Sequence, residues 1–147
     1  MNTLAIIDFN RTIYDPEKRG LLPGAKEVLL SLVKRGVILS LVSRIEPGRA
    51  DILCDLGLTD IFASTHFVNT KSPQLFTEII FAHRSDTEHA YVIGDYLHEE
   101  IRSGNRAGAR TIWLRRGPFA HMRPESEFDV PWKEITDIAE IEALIGK

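Results

Sequence analysis

Short apolar runs that end on a polar residue alternate with segments of helical periodicity along almost the whole of this sequence. Leu4-Ala5-Ile6-Ile7 ends at Asp8, Val37–Val42 at Ser43, and Ala90-Tyr91-Val92-Ile93 at Gly94-Asp95, while Ile61–Val68 and Thr111–Leu114 are shorter or more mixed runs of the same kind. Continuous apolar stretches of this length suit strands buried on both faces. Between them, helices are expected over Ala25–Arg35 (Val28, Leu29, Leu32 and Val33 inward), Pro47–Leu56 (Ile52, Leu53 and Leu56 inward), Ser72–His83, Leu97–Ala107 and Glu134–Ile145. Such alternation specifies a parallel sheet whose right-handed crossovers bring every strand's C-terminal end to one edge. The expectation is a single three-layer, Rossmann-like α/β domain over residues 1–147, with helices on both faces of the sheet and ligands held beyond that edge.

Composition narrows the class without naming a function. A chain of 147 residues with 44% hydrophobic and 27% charged residues is globular, and at this length about two-thirds of the unfolded surface is buried on folding, so no staple is required. The lone cysteine, Cys54, excludes an internal disulfide and is expected on the inner side of its helix. No apolar run approaches a membrane span, and Asp8 interrupts the first one too early for a secretory leader, so a cytoplasmic location is expected. A net charge of −3 gives no global pull toward nucleic acid. The charge is unevenly spread: Arg102 to Arg123 carries arginines and no acid, and the segment from Pro124 onward is acidic.

The strand ends carry the chemistry. Asp8, Ser43, Asp95 and, just beyond the third run, Lys71 each have an ordinary explanation as turn or surface residues. Together they bring two carboxylates, a hydroxyl and an ammonium to one edge. That set suits phosphoryl transfer, with a carboxylate nucleophile, a magnesium ion held by carboxylates and donors for the phosphate oxygens.

The order and context of these residues resemble the haloacid dehalogenase-like (HAD) superfamily of hydrolases. Asp8-Phe9-Asn10-Arg11-Thr12 is similar to the family's Asp-x-Asp-x-Thr motif, Ser43 to its second motif, Lys71-Ser72-Pro73 to its third, and Gly94-Asp95 with Glu100 to its Gly-Asp-x-x-x-x-Asp motif. The resemblance implies that Asp8 is the nucleophile and that Thr12 belongs to its motif. It implies that Asp8, Asp95 and the backbone carbonyl of Asn10 ligate Mg²⁺, with Glu100 or its neighbour Glu99 in the metal's outer shell. Ser43 and Lys71 would hold the transferring phosphoryl group.

Two departures qualify the resemblance. Asn10 stands where the family's phosphatases carry an acid/base aspartate, and an amide can neither donate nor accept that proton. The spans Thr12–Pro23 and Ser43–Lys71 are too short for an inserted cap, so an open site is expected, able to admit a large phosphorylated substrate unless a second copy covers it. Phe119, Met122 and Trp132 are candidate apolar contacts for such a homo-oligomer. Arg44, Arg115 and Arg116 are candidates for the substrate's remaining anionic part, with pairing to the acidic C-terminal segment as the alternative. Two functions therefore stand open: a phosphatase, or a silenced fold that binds a phosphorylated ligand or partner.

Overall fold

A computed structural model describes residues 1–146. The strand β1 (Leu4–Asp8) leads into a small antiparallel turn formed by β2 (Tyr14–Asp15) and β3 (Gly20–Leu21), and α1 spans Ala25–Lys34. There follow β4 (Ile38–Arg44), α2 (Arg49–Asp55), β5 (Ser64–Val68), α3 (Pro73–Ala82) and β6 (Ala90–Gly94). A π-helical turn over Leu97–Ile101 runs into α4 (Arg102–Arg106), and β7 (Arg110–Leu114), β8 (Lys133–Ile135) and α5 (Ile141–Leu144) complete the order. Six strands form one parallel sheet in the order β5-β4-β1-β6-β7-β8.

Burial explains the layers. In β1 the side chains alternate, so Ala5 and Ile7 join one core with Val28, Leu29 and Leu32 of α1 and Leu53 of α2. Leu4 and Ile6 join the opposite core with Phe76, Ile79 and Ile80 of α3. Ser72 caps α3 by accepting a 3.2 Å hydrogen bond from the Leu75 backbone N–H, and Pro73 opens the helix.

Four expectations are corrected. The segment Glu134–Ile145 is not one helix: Ile135 pairs with Leu114 as an edge strand. A capping box between Asp137 and Glu140 then starts a separate turn at Ile138. Cys54 is exposed, because the seven-residue α2 turns Leu53 toward the core instead. Val33 is also exposed, since Ala25, Val28, Leu29 and Leu32 already complete the inner stripe of α1. The helix expected over Leu97–Ala107 begins as a π-helical turn, which tucks Glu100 back beneath β6.

Candidate active site

The C-terminal edge of the sheet gathers the predicted residues. Asp8 ends β1, Ser43 lies near the end of β4, Asp95 follows β6, and Lys71 precedes the cap of α3. They line one cavity of about 200 Å³ together with Asn10, Glu99 and Glu100. The Lys71 ammonium donates to Asp8 Oδ1 at 2.6 Å and lies 3.6 Å from Glu100 Oε2. Burial alone would depress the Lys71 ammonium, but the charges of Asp8 and Glu100 and the Asp8 hydrogen bond outweigh it and raise its pKa. Thr12, fully buried, points its hydroxyl at Asp8 Oδ2 across 3.5 Å. The buried Ser43 hydroxyl donates to the Arg44 carbonyl at 3.2 Å.

Asp8, Asp95 and Glu100 each offer a carboxylate oxygen within 4.8 Å of the others. Burial first, and the Asp8 charge second, push the Asp95 carboxyl up to about 7 and the Glu100 carboxyl well above its ordinary range. Asp95 Oδ2 is buried with no hydrogen-bond partner. A buried carboxylate oxygen without a donor is costly unless something positive meets it. Hard oxygen ligands converging around an orphaned acceptor fit a divalent cation such as magnesium.

The two adjacent acids are placed differently. Glu100 is 2% exposed and faces Lys71, while Glu99 pairs with Arg44. Arg44 is thus already partnered. Arg115 is as well, donating to Glu134 Oε1 at 3.0 Å and to the Ala120 carbonyl at 2.7 Å, which is the pairing with the acidic C-terminal segment. Arg116 has no carboxylate partner among the described residues. Of the expected apolar contacts, Phe119 stacks on Tyr96 at 4.7 Å on the rim of the site and Met122 packs against the cluster of Leu97, Ile101 and Trp113. Trp132 packs edge-on against Tyr91 at 5.8 Å.

Two functional neighbours were not foreseen from sequence. Arg49 is 4% exposed, lies 4.3 Å from the centre of the Phe9 ring and reaches Asn10 Oδ1 at 3.5 Å. It clamps the loop that follows Asp8, and Glu46 accepts from it at 2.8 Å. Its only sequence signal is a basic residue at the start of a helix, where a cation opposes the dipole. Arg11, next to Asn10, adopts a left-handed backbone (φ 60) and borders the same cavity. His98 comes within 3.1 Å of Glu125 and 3.7 Å of Asp129. Asp129 is already held by Arg102 at 2.6 and 2.9 Å, so that cluster is an ion-pair network.

The comparisons with known proteins agree with this geometry. A HAD-hydrolase-like family model matches residues 70–138. A glyceraldehyde 3-phosphate phosphatase from Pyrococcus furiosus is 27% identical over 132 residues, covering 84% of this chain and 52% of the relative. The chain spans about half, or less, of the length of the curated relatives it matches. A 2-haloacid dehalogenase structure from Pseudomonas syringae superposes with a TM-score of 0.78 at 16% identity, covering 98% of each chain. The Bacillus subtilis protein YfnB, solved with magnesium bound, superposes with a TM-score of 0.72 at 22% identity over 88% of this chain and 57% of its own. No helix among the described residues is long and apolar enough to cross a membrane. Four motifs in order and the edge on which they meet resemble those of the HAD-like hydrolases, and the family model over residues 70–138 and the shared fold support that likeness.

Proposed function

We propose that the chain is a magnesium-dependent phosphatase that hydrolyses a phosphomonoester through an aspartyl phosphate on Asp8. The observation that carries the reading is the pairing of Asp8 with the buried Lys71 beside the orphaned Oδ2 of Asp95. An anionic nucleophile, a fixed cation and an acceptor in need of positive charge stand together at one strand edge. The names of its curated relatives, phosphatases acting on phosphorylated three-carbon compounds among them, point the same way.

In the first step an Asp8 carboxylate oxygen bonds to phosphorus, and the ester P–O bond breaks with its electron pair passing to the leaving oxygen. Lys71 holds Asp8 in place and offsets charge that builds on the phosphoryl oxygens, and the Ser43 hydroxyl turns from the Arg44 carbonyl to one of those oxygens. Asp8, Asp95 and the Asn10 carbonyl would hold magnesium, with Glu100 behind them. The ion, when bound, supplies positive charge to the transferring group. In the second step water bonds to phosphorus and the Asp8–phosphorus bond breaks, restoring the carboxylate, while both of the water's protons leave with the released phosphate. Asn10 orients that water without taking its proton.

The reading takes the chain as a catalytic unit without an inserted cap, since β2 and β3 fill the span after the nucleophile and α2 with β5 fills the span before Lys71. A second reading, a silenced binder of phosphorylated ligands, is favoured by one observation, the amide at Asn10. Turnover of an activated aryl phosphate with magnesium and with chelator separates them. Magnesium-dependent turnover supports the phosphatase, and inertness toward a broad phosphate panel despite magnesium binding replaces it with the binder.

A further inference from the structure

Arg11 occupies the residue between Asn10 and Thr12 in a left-handed backbone conformation, φ 60. A bulky L-residue there is strained, and glycine would relieve it. The turn itself is enforced by the backbone: Arg11 N–H donates to the Tyr14 carbonyl at 2.7 Å, while the Phe9 carbonyl accepts from Thr12, Ile13 and Tyr14. Strain retained beside a nucleophile draws attention to the side chain that remains there.

That side chain stands between two cavities. It borders the catalytic cavity, and it also borders a second one of about 190 Å³, whose other walls include Leu22, Pro118 and Arg116. The guanidinium lies 5.6 Å from the centre of the Phe119 ring, on which the Tyr96 ring stacks. Among the described residues neither Arg11 nor Arg116 has a carboxylate partner, whereas Arg44 and Arg115 are engaged by Glu99 and Glu134. The second cavity also contains acids. Asp15 is occupied in capping the backbone N–H groups of Glu17 and Lys18 at 2.9 and 3.3 Å, and Glu17 is exposed. Arg11 and Arg116 are the cationic residues of the cavity's lining.

We propose that Arg11 and Arg116 form an oxyanion subsite that selects phosphomonoesters carrying a second anionic group, a carboxylate or a second phosphate, on a small leaving group. Guanidinium forks match both groups through paired N–H donors. The subsite rests on the reading of the Asp8–Asp95 cavity as the phosphate site.

Binding, which needs no turnover, tests it. Calorimetry with magnesium present compares propylphosphonate with 3-phosphonopropionate and propane-1,3-bisphosphonate. At least one doubly anionic probe should bind about tenfold more tightly than propylphosphonate, the scale of one charge-assisted hydrogen-bonded pair. The preferred probe identifies the group. In Arg11→Gly, which keeps the turn without strain, that advantage should fall to about twofold, and Arg116→Gln should reduce it in part. Equal affinity for all three probes, or an advantage undiminished in Arg11→Gly, overturns the subsite and leaves the phosphatase reading standing. If no phosphonate binds and no phosphate ester is hydrolysed, the phosphate site and the subsite fall together.

Discussion

Gly94 leaves the space that Glu100 occupies: a Cβ added at residue 94 would collide with the Glu100 side chain, Cγ, Cδ and Oε1 alike. The last residue of β6 and the buried acid of the π-helical turn therefore depend on each other. Gly94→Ala should displace Glu100 and deprive the Tyr96 N–H of its 3.3 Å acceptor. The expected destabilisation is about 1 to 3 kcal/mol, the range for overpacking a filled interior. Urea unfolding with chelator measures it, and a stability equal to the parent's would mean Glu100 lies elsewhere.

Asp8→Asn should abolish turnover while the chain still folds, because Asp8 sits at a strand end on the cavity wall rather than inside either hydrophobic cluster. Activity above about one per cent of the parent would remove Asp8 from the nucleophile's role, since an amide cannot form the acyl phosphate.

The Asp95 carboxyl gives a pH signature. Its pKa is raised from 3.8 to about 7 by burial and by the Asp8 charge, so over that interval the folded chain keeps a proton that the unfolded chain has lost. The Asp95 contribution to folded stability in chelator should therefore fall as pH rises from 3.8 to about 7 and level off above it. Glu100, also raised, adds to the fall. Asp129 acts oppositely: Arg102 lowers its pKa, so its contribution is present at neutral pH and is lost only at strongly acidic pH. Thermal melts across pH should show the slope reduced in Asp95→Asn.

Magnesium should raise the melting temperature, because an ion that binds only the folded chain stabilises it by mass action. The shift should grow with pH through the range in which Asp95 ionises, since the ligands must be deprotonated to bind. Asp95→Asn should weaken it much more than Glu99→Gln, because Glu99 is turned toward Arg44. Equal responses in both variants would move the metal ligands elsewhere.

Asn10→Asp should speed steady turnover by roughly ten- to a thousandfold, within the range of a general acid/base. In the parent, an activated ester should give a burst equal to the enzyme concentration, followed by slow turnover as the phosphoenzyme accumulates. Quench-flow separates the two phases. An unchanged steady rate would place the acid/base on another residue.

What could be read in advance follows from what each signal depends on. Asp8, Ser43 and Asp95 were legible because each ends an apolar run, and strand direction alone brings those ends together. Lys71 was legible because Ser72-Pro73 marks the start of a helix beside it. β8 was not, because the three residues Lys133–Ile135 are too short to show a period, and the acids that follow suit a helix as well as a capping box. The clamp of Arg49 on Phe9 and Asn10 joins α2 to the loop after Asp8, a tertiary contact that no local pattern records. Arg11 was passed over because the motif leaves its position free, while the strain that distinguishes it exists only in the folded backbone.

The strand order has a consequence for folding. Leu4 of β1 pairs with Ile38 on one side and with Ala90 on the other. The first pairing closes a short loop and the second a much longer one, which is entropically slower to form. A folding intermediate with only the first half of the sheet in place would present Asp8 and Ser43 without Asp95. Catalytic competence should therefore arrive in a single late kinetic phase, together with the docking of β6 on β1, and recovery of activity during refolding should serve as a clock for that long-range crossover.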